Sequence, residues 1–211
     1  MAQIATEKII KSTLNGIDEA METYYEWSGG EWLWNAPEYF ITVKIAENIA
    51  EIEGNKYITL EDKIDNKVLE YTDFNLKKKR LKQASKDART NGRGDIIFWR
   101  ANGTPRALIE VKNGVQNITV LLKDIERIRT ILHTQSTIDF GLIAFYSSQE
   151  YKTGNADEKL KNKVLQIKKD CDNMFNNLKS TIDLGNGTVA NDDQNAWISA
   201  VLLLKRDNSN K

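Results

Sequence analysis

Apolar side chains near the start of the chain recur every three or four positions, which is the spacing of one face of an α-helix. The pattern predicts a first helix from Ile4 to about Trp27, and Gly29-Gly30 would end it. The buried stripe of this helix is expected to contain Ile10, Leu14, Ile17, Met21 and Tyr24.

A second helix is predicted to begin at Asn35, whose side chain can cap it. Pro37 would lie in the first turn, and Glu38, three residues after the cap, completes a capping-box pattern. The apolar positions that follow at helical spacing are Ile41, Ile45, Ile49 and Ile52.

The rest of the chain alternates β-prone and helical segments. Further helices are predicted at Thr119–Leu132 and Asp157–Leu178, and Gly185-Asn186-Gly187 is interpreted as a turn. This order of elements predicts a single domain, residues 1–211, of the α/β (α+β) class, with a mixed sheet flanked by helices. Outside the hairpin described next, the predicted strands are Tyr57–Leu60, Val68–Tyr71, Phe140–Tyr146 and Ala196–Leu204.

Asn102-Gly103 is a strong hairpin signal between the apolar segments Asp95–Arg100 and Arg106–Lys112. A two-residue turn there would pair residues whose numbers sum to 205, so that Asp95 lies opposite Glu110, and a longer loop would shift this register. Since strand side chains alternate between faces, one face of the hairpin would carry Asp95, Ile97, Trp99, Arg106, Leu108, Glu110 and Lys112.

Two carboxylates and one ammonium group would then meet at one end of the hairpin. Opposed carboxylates repel, and a divalent cation removes that conflict. Mg²⁺ prefers oxygen ligands and is often held by one or two carboxylates together with water and substrate phosphate, which suits Asp95 and Glu110. Such an ion can activate water and polarise a phosphoryl oxygen, and Lys112 could orient that water or stabilise the developing charge. The implied reaction is phosphodiester hydrolysis.

These residues resemble a known pattern. Gly92-Arg93-Gly94-Asp95, a hairpin and then Glu110-Val111-Lys112 look like the PD-(D/E)xK nuclease superfamily, which has the restriction-endonuclease-like fold. The resemblance covers about Asn35 to Ser147, with residues 1–34 as an N-terminal helical addition and residues 148–211 as a C-terminal helix and strand. Gly94 stands where the family name has proline.

The resemblance implies that Asp95 and Glu110 bind Mg²⁺, with Mn²⁺ expected to substitute, and that Lys112 is the catalytic lysine. Members of the superfamily often add an acidic residue from the first core helix. Both Glu38 and Glu47 are candidates, and Glu38 is preferred because it shares a helical face with Ile41 and Ile45. The alternative role of Glu38 is the capping box. The alternative interpretation of the whole set is a solvated hairpin end with ordinary ion pairs.

The charge of the chain is balanced but unevenly distributed. Thirty basic residues match thirty acidic ones, and the segment from Lys77 to Arg93 is strongly basic. Such a run could follow a phosphate backbone, or it could be a solvated surface. The candidate nucleic-acid contacts are Lys77, Lys78, Lys79, Arg80, Arg89, Arg93, Lys123 and Arg127.

The composition excludes other kinds of site. With one cysteine, Cys171, and one histidine, His133, the chain can form neither an internal disulfide nor a thiolate or imidazole zinc site. No apolar run approaches the roughly 18 residues of a membrane helix, and the N-terminus lacks the apolar core of a secretory signal, so a cytoplasmic protein is expected.

The leading hypothesis is a Mg²⁺-dependent deoxyribonuclease, and an endonuclease is expected. Two alternatives remain open: a non-catalytic module of the same fold that binds nucleic acid or protein, and a subunit that needs a partner protein to deliver its substrate. The aromatic N-terminal stretch is expected to pack against the domain or to form a homodimer contact rather than to stack on bases. Its members are Tyr24, Tyr25, Trp27, Trp32, Trp34 and Tyr39.

Overall fold

A six-stranded mixed sheet organises the chain. The structure, a computed structural model, describes residues 3–64, 92–134, 137–189 and 193–207. Within these ranges the helices are α1 (Thr6–Ser28), α2 (Glu38–Ala50), α3 (Leu122–His133) and α4 (Ala156–Met174), with 3-10 turns at Leu33–Asn35 and Ile118–Val120. The strands are β1 (Lys56–Lys63), β2 (Arg93–Arg100), β3 (Pro105–Lys112), β4 (Phe140–Glu150), β5 (Leu178–Val189) and β6 (Asn195–Arg206).

The strand order in the sheet is β1-β2-β3-β4-β6-β5. Among the strands that the structure describes, only β3 and β4 run parallel, and α3 makes the crossover between them. The other neighbouring pairs of these strands are antiparallel. The predicted mixed sheet flanked by helices is therefore confirmed. None of the helices in the described part of the chain combines the length and apolar character needed to cross a membrane.

Hydrophobic layers cover both faces of the sheet. One layer joins the sheet to α1 and α2, and the other joins it to α3 and α4. The central strands are buried on both sides: in β3, Leu108 packs into the α3 layer, whereas Ile109 and Val111 pack into the α2 layer. Charged side chains on such a strand therefore face a hydrophobic core unless they lie at its end.

The hairpin between β2 and β3 differs from the predicted two-residue turn. Arg100 N–H donates to the Thr104 carbonyl at 2.9 Å, and Gly103, at φ 79°, donates to the Arg100 carbonyl. These bonds define a three-residue loop, Ala101 to Gly103, with glycine in the left-handed conformation that this loop requires.

A β-bulge restores the predicted register. Trp99 pairs with Pro105, but Phe98 pairs with Ala107, so Arg106 is the extra residue. From Phe98 inward the paired numbers sum to 205, as predicted. The predicted face of Arg106 is wrong, because the bulge turns its guanidinium to the other face, over the rings of Phe98 and Phe140.

The predicted start of the second helix is also wrong. Helix α2 begins at Glu38, with Pro37 at the N-cap position. The residue before a proline avoids the helical conformation, and Ala36 is extended (φ −79°, ψ 151°). Asn35 lies in a 3-10 turn, where its Nδ2 donates to Glu31 at 2.7 Å, so Asn35 and Glu38 form no capping box. The helix ends at Ala50, before Ile52.

The C-terminal part contains a strand that the sequence pattern did not predict. Helix α4 ends at Met174 rather than Leu178, and Leu178 begins β5. The predicted turn at Gly185 to Gly187 lies within β5, at a shift in register against β6. A Cβ at Gly187 would lie 2.5 Å from the carbonyl oxygen of Trp197, so glycine serves a close approach between strands here.

The remaining elements agree with the prediction within a few residues at their ends. They are α1, α3, β1, β4 and β6. Cys171 is buried in the core, as expected. The predicted strand Val68–Tyr71 and most of the basic segment lie outside the described residues.

Candidate active site

The ends of β2 and β3 bring two carboxylates together. Asp95 lies one residue before Ile96, which pairs with Ile109, so the same register places Asp95 opposite Glu110. The Oδ2 atom of Asp95 accepts the backbone N–H of Val111 at 2.7 Å. This bond fixes one carboxylate at the end of the neighbouring strand, on the sheet face covered by α3.

Glu110 is the more deeply buried of the two acids, with 2% of its side chain exposed. Burial raises its pKa to about 8, and the neighbouring charge of Asp95 adds to the shift. Arg127 from α3 opposes it, since its Nη1 lies 2.8 Å from Glu110 Oε1. One cation from the protein thus partly compensates two adjacent acids.

The pKa of Asp95 is raised as well, chiefly by burial. The Val111 N–H and the charge of Lys112 oppose the shift, whereas Glu38 and Glu61 add to it. Glu61 lies in β1 between residues paired with Ile96 and Gly94, and its φ of 51° marks an irregularity of the strand beside Asp95. No sequence pattern pointed to Glu61, because a strand irregularity of this kind leaves no periodic signal.

Lys112, the last residue of β3, extends between the two helical layers. Its Nζ lies 3.2 Å from Glu38 Oε1 of α2 and 3.6 Å from Asp124 Oδ2 of α3. Burial alone would lower its pKa, but the carboxylates of Asp124, Glu38 and Asp95 outweigh burial and raise it. Lys112 is therefore a firmly protonated ammonium group, suited to donate hydrogen bonds rather than to remove a proton.

Glu38 is held at this site by two contacts. In addition to Lys112, its Oε2 accepts the backbone N–H of Asn113 at 3.2 Å. The amide of Asn113 in turn donates to the carbonyl oxygens of Leu33 and Ala36, both at 2.9 Å, which ties the approach to α2 to the end of β3. The other candidate, Glu47, pairs instead with Lys44 at 3.2 Å.

Asp124 is a site residue that the sequence reasoning missed. It is only 5% exposed, and it faces both Lys112 and Arg127. A signal was present: Asp124 occupies the same helical stripe as the buried Leu121 and Ile128. An acid inside an apolar stripe implies a partner in the interior.

The candidate nucleic-acid contacts separate into three groups. Lys77, Lys78, Lys79, Arg80 and Arg89 lie outside the described residues. Arg93 and Lys123 are exposed. Arg127 is bound to Glu110 and to the Arg93 carbonyl oxygen, at 2.8 and 3.2 Å. Its Nε–H is buried and has no acceptor among the described residues.

The fit of this site to a metal ion rests on two carboxylates. In the described ranges, no group of three or more His, Cys, Asp or Glu side chains is arranged to hold a metal ion. Mg²⁺ does not need such a group, since it commonly takes one or two carboxylates and completes its shell with water and substrate phosphate. Asp95 and Glu110 lie opposite each other, and the cations and hydrogen-bond donors around them do not offset the rise in their pKa values. The pair therefore fits this mode of binding.

Comparison with known proteins adds no family assignment. No protein-family model, curated protein or solved structure matched the chain.

Proposed function

We propose that the protein is a cytoplasmic, Mg²⁺-dependent nuclease of the PD-(D/E)xK type that hydrolyses phosphodiester bonds in DNA. The observation that carries the proposal is the meeting of Asp95, Glu110 and Lys112 at one end of the β2–β3 hairpin. Burial in the first place, and the repulsion of Asp95 in addition, raise the pKa of Glu110 to about 8. A divalent cation would relieve that repulsion.

In this proposal Asp95 and Glu110 hold the ion, which supplies Lewis-acid polarisation of a phosphoryl oxygen. Lys112 directs its ammonium toward the attacking water or toward the negative charge that develops on phosphorus. Its raised pKa keeps it charged for that role. Glu38 and Asp124 fix its position from opposite sides, so the lysine is oriented before substrate arrives.

The order of elements also supports the proposal. Among the described residues between Glu38 and Glu150, helix α2, strands β1 to β3, helix α3 and strand β4 occur in this order. This is the succession of helix, three strands, helix and strand that the resemblance implies. The acidic pair and the lysine lie on the second and third strands of this succession.

The test is cleavage of plasmid, linear duplex and single-stranded DNA with Mg²⁺, with Mn²⁺ and with chelator. We expect cleavage that the chelator abolishes and that Lys112→Ala reduces by at least about 100-fold. Lys44→Ala is the matched control, because Lys44 pairs with Glu47 on α2 rather than with the site acids. Equal cleavage by wild type and Lys112→Ala would reject the mechanism.

A second candidate function is a non-catalytic or partner-dependent subunit of the same fold. The ion pair between Arg127 and Glu110 favours it, since an arginine can neutralise the acid permanently in place of a metal. This candidate predicts DNA binding that is indifferent to Mg²⁺, or cleavage only after a co-purified partner is added. Metal-dependent cleavage by the isolated chain would exclude both forms.

A further inference from the structure

A groove of about 600 Å³ lies beside the candidate active site, and the proposed function does not use it. Its lining includes Trp32 and Trp34 from the segment before α2, together with residues of the β3–α3 connection, the end of β4, helix α4 and the start of β6. Gly114 is one of the lining residues and follows Lys112 by two positions. The backbone from Lys112 to Gly114 spans at most about 7 Å, so the groove begins close to the strand end that carries Lys112.

One aromatic residue of the groove lining, Trp34, is available for stacking. Trp34 is 60% exposed, and no aromatic ring of the described residues contacts it. The 3-10 turn that carries it is anchored by Asn113, whose amide binds the carbonyl oxygens of Leu33 and Ala36 on either side. A tryptophan on a fixed turn is a rigid platform, which lowers the entropy lost when a flat ligand stacks on it.

Trp27, another exposed tryptophan, differs from Trp34 in its surroundings. It is 72% exposed, but its ring already packs against Phe40, with centroids 5.3 Å apart. Trp27 does not line the groove. Packing of the N-terminal helix therefore explains why a tryptophan occupies position 27. It does not explain why an exposed tryptophan occupies position 34.

The lining of the groove also includes a cation that is supported by side-chain amides. Lys163 of α4 donates to Gln116 Oε1 at 2.5 Å and to Gln149 Oε1 at 2.9 Å, and it forms no ion pair with any described carboxylate. Partial burial lowers its pKa. An ammonium has three donors, so one remains for an acceptor in the groove. Glu150 also lines the groove, but it is exposed and its charge is screened by water.

A stacking platform and a positioned cation that line the same groove are the combination by which proteins bind single-stranded nucleic acid. A base must be unpaired before its face can lie on an indole ring, so duplex DNA does not fit this groove. We propose that the groove binds an unpaired strand of the substrate DNA, with one base stacked on Trp34 and a neighbouring phosphate or base oxygen bound by Lys163. This inference rests on the proposed function for the position of the scissile phosphate beside Lys112, and it specifies single-stranded or locally opened DNA as the substrate.

The experiment measures binding without cleavage. A fluorescein-labelled oligodeoxythymidine of about 12 nucleotides is titrated with the protein in the presence of chelator, and fluorescence anisotropy gives Kd over a range of salt concentrations. Trp34→Ala is expected to raise Kd by about 5- to 150-fold, the range for loss of one stacked base. Trp34→Phe should recover most of the affinity, while Trp27→Ala should bind as the wild type does.

Lys163 is tested by the salt dependence of binding. Lys163→Gln should reduce the slope of log K against log salt by about 0.7, the value for one contact with a single-stranded phosphate, or weaken binding at all salt concentrations if the contact is to a base oxygen. Lys161→Gln is the matched control on the same helix, since Lys161 pairs with Asp157. Thermal unfolding of each variant, compared with wild type, verifies that the fold is intact.

The results also separate this inference from the proposed function. Strand binding that depends on Trp34, with no cleavage under any metal, would uphold the groove and reject the nuclease. Cleavage that depends on Lys112, with Trp34→Ala binding as wild type does, would reject the groove and uphold the nuclease. Preference for duplex over single strands, or an equal loss of affinity in Trp27→Ala, would also overturn the assignment of the groove.

Discussion

The ammonium group of Lys112 lies 3.2 Å from the carboxylate of Glu38, although 74 positions separate the two residues in the chain. This contact links the first turn of α2 to the end of β3. Because Lys112 also faces Asp124 of α3, the lysine connects the helices on the two faces of the sheet. The pair is partly exposed, with 21% and 42% of the side chains accessible. A pair of this kind contributes about 0 to 1 kcal/mol to stability, so its value lies in orienting Lys112.

Glu38→Gln should therefore reduce activity more than stability. We expect kcat for DNA cleavage to fall about 10- to 100-fold, as for loss of a group that orients a site residue, with little change in KM. The free energy of unfolding should change by less than about 1 kcal/mol. Glu47→Gln is the matched control on the same helix, because Glu47 pairs with Lys44. Loss of activity explained by unfolding alone would contradict the orienting role.

The ion pair between Arg127 and Glu110 leads to a prediction about stability. Above the raised pKa of Glu110, which is about 8, Arg127→Ala leaves a buried carboxylate without its cation, which should cost up to about 3 to 5 kcal/mol in urea unfolding. Adding Glu110→Gln should recover much of this loss, because the remaining group is neutral. The measurement is a double-mutant cycle in the presence of chelator.

Arg129→Ala is the control for this cycle. Arg129 lies on the same helix and pairs with Glu126, but that pair is more exposed, at 34% and 41%. Its loss should cost no more than about 1 kcal/mol from the ion pair. Additive effects of the Arg127 and Glu110 substitutions would show that the two side chains do not interact in solution.

Metal binding is testable without any substrate. If Asp95 and Glu110 hold Mg²⁺, the ion stabilises the folded state, by about 2.7 kcal/mol at a concentration 100 times Kd. Thermal unfolding should then shift upward with Mg²⁺ in wild type and not in Asp95→Asn. Asp157→Asn, which changes an acid paired with Lys161 on α4, should respond as wild type does. A shift of equal size in Asp95→Asn would place the ion elsewhere.

Much of the fold could be predicted because its central elements carry strong periodic signals. The hairpin register survived even though the loop was longer than expected, because the bulge at Arg106 compensated for the extra loop residue. The alternation of side chains between the two faces of a strand could not predict the orientation of Arg106, because the extra residue of a bulge interrupts that alternation.

The candidate site was predictable only in part, for a similar reason. Asp95, Glu110 and Lys112 lie on one hairpin, so strand spacing alone groups them. Asp124 and Glu61 reach the site through tertiary packing and through a strand irregularity, respectively. Local patterns do not record such contacts.

Strand β5 shows how one residue type can mislead sequence reasoning. Gly185 and Gly187 suggested a turn, but the strand needs glycine for close packing rather than for reversal of the chain. The position of a Cβ on Gly185 is blocked by the Ser199 hydroxyl, and Ser199 is itself buried and bonded to Asp18. Glycine therefore marks a close approach within the sheet here.

This interpretation predicts different costs for two glycine substitutions. Gly185→Ala should destabilise the protein by about 1 to 3 kcal/mol or more, since the new methyl group must displace Ser199 from its buried bond to Asp18. Gly103→Ala, at φ 79° with open space around the site, should cost only the roughly 1 to 2 kcal/mol of a left-handed alanine.

A second substitution distinguishes the cost of close packing from the cost of a left-handed backbone. Combining Gly185→Ala with Ser199→Ala removes the blocking hydroxyl and should recover part of the loss, whereas Ser199→Ala should not improve Gly103→Ala. Chemical unfolding of the single and double variants provides the comparison. Equal costs for the two glycine substitutions, with no recovery in the double variant, would mean that backbone conformation rather than close packing requires glycine at position 185.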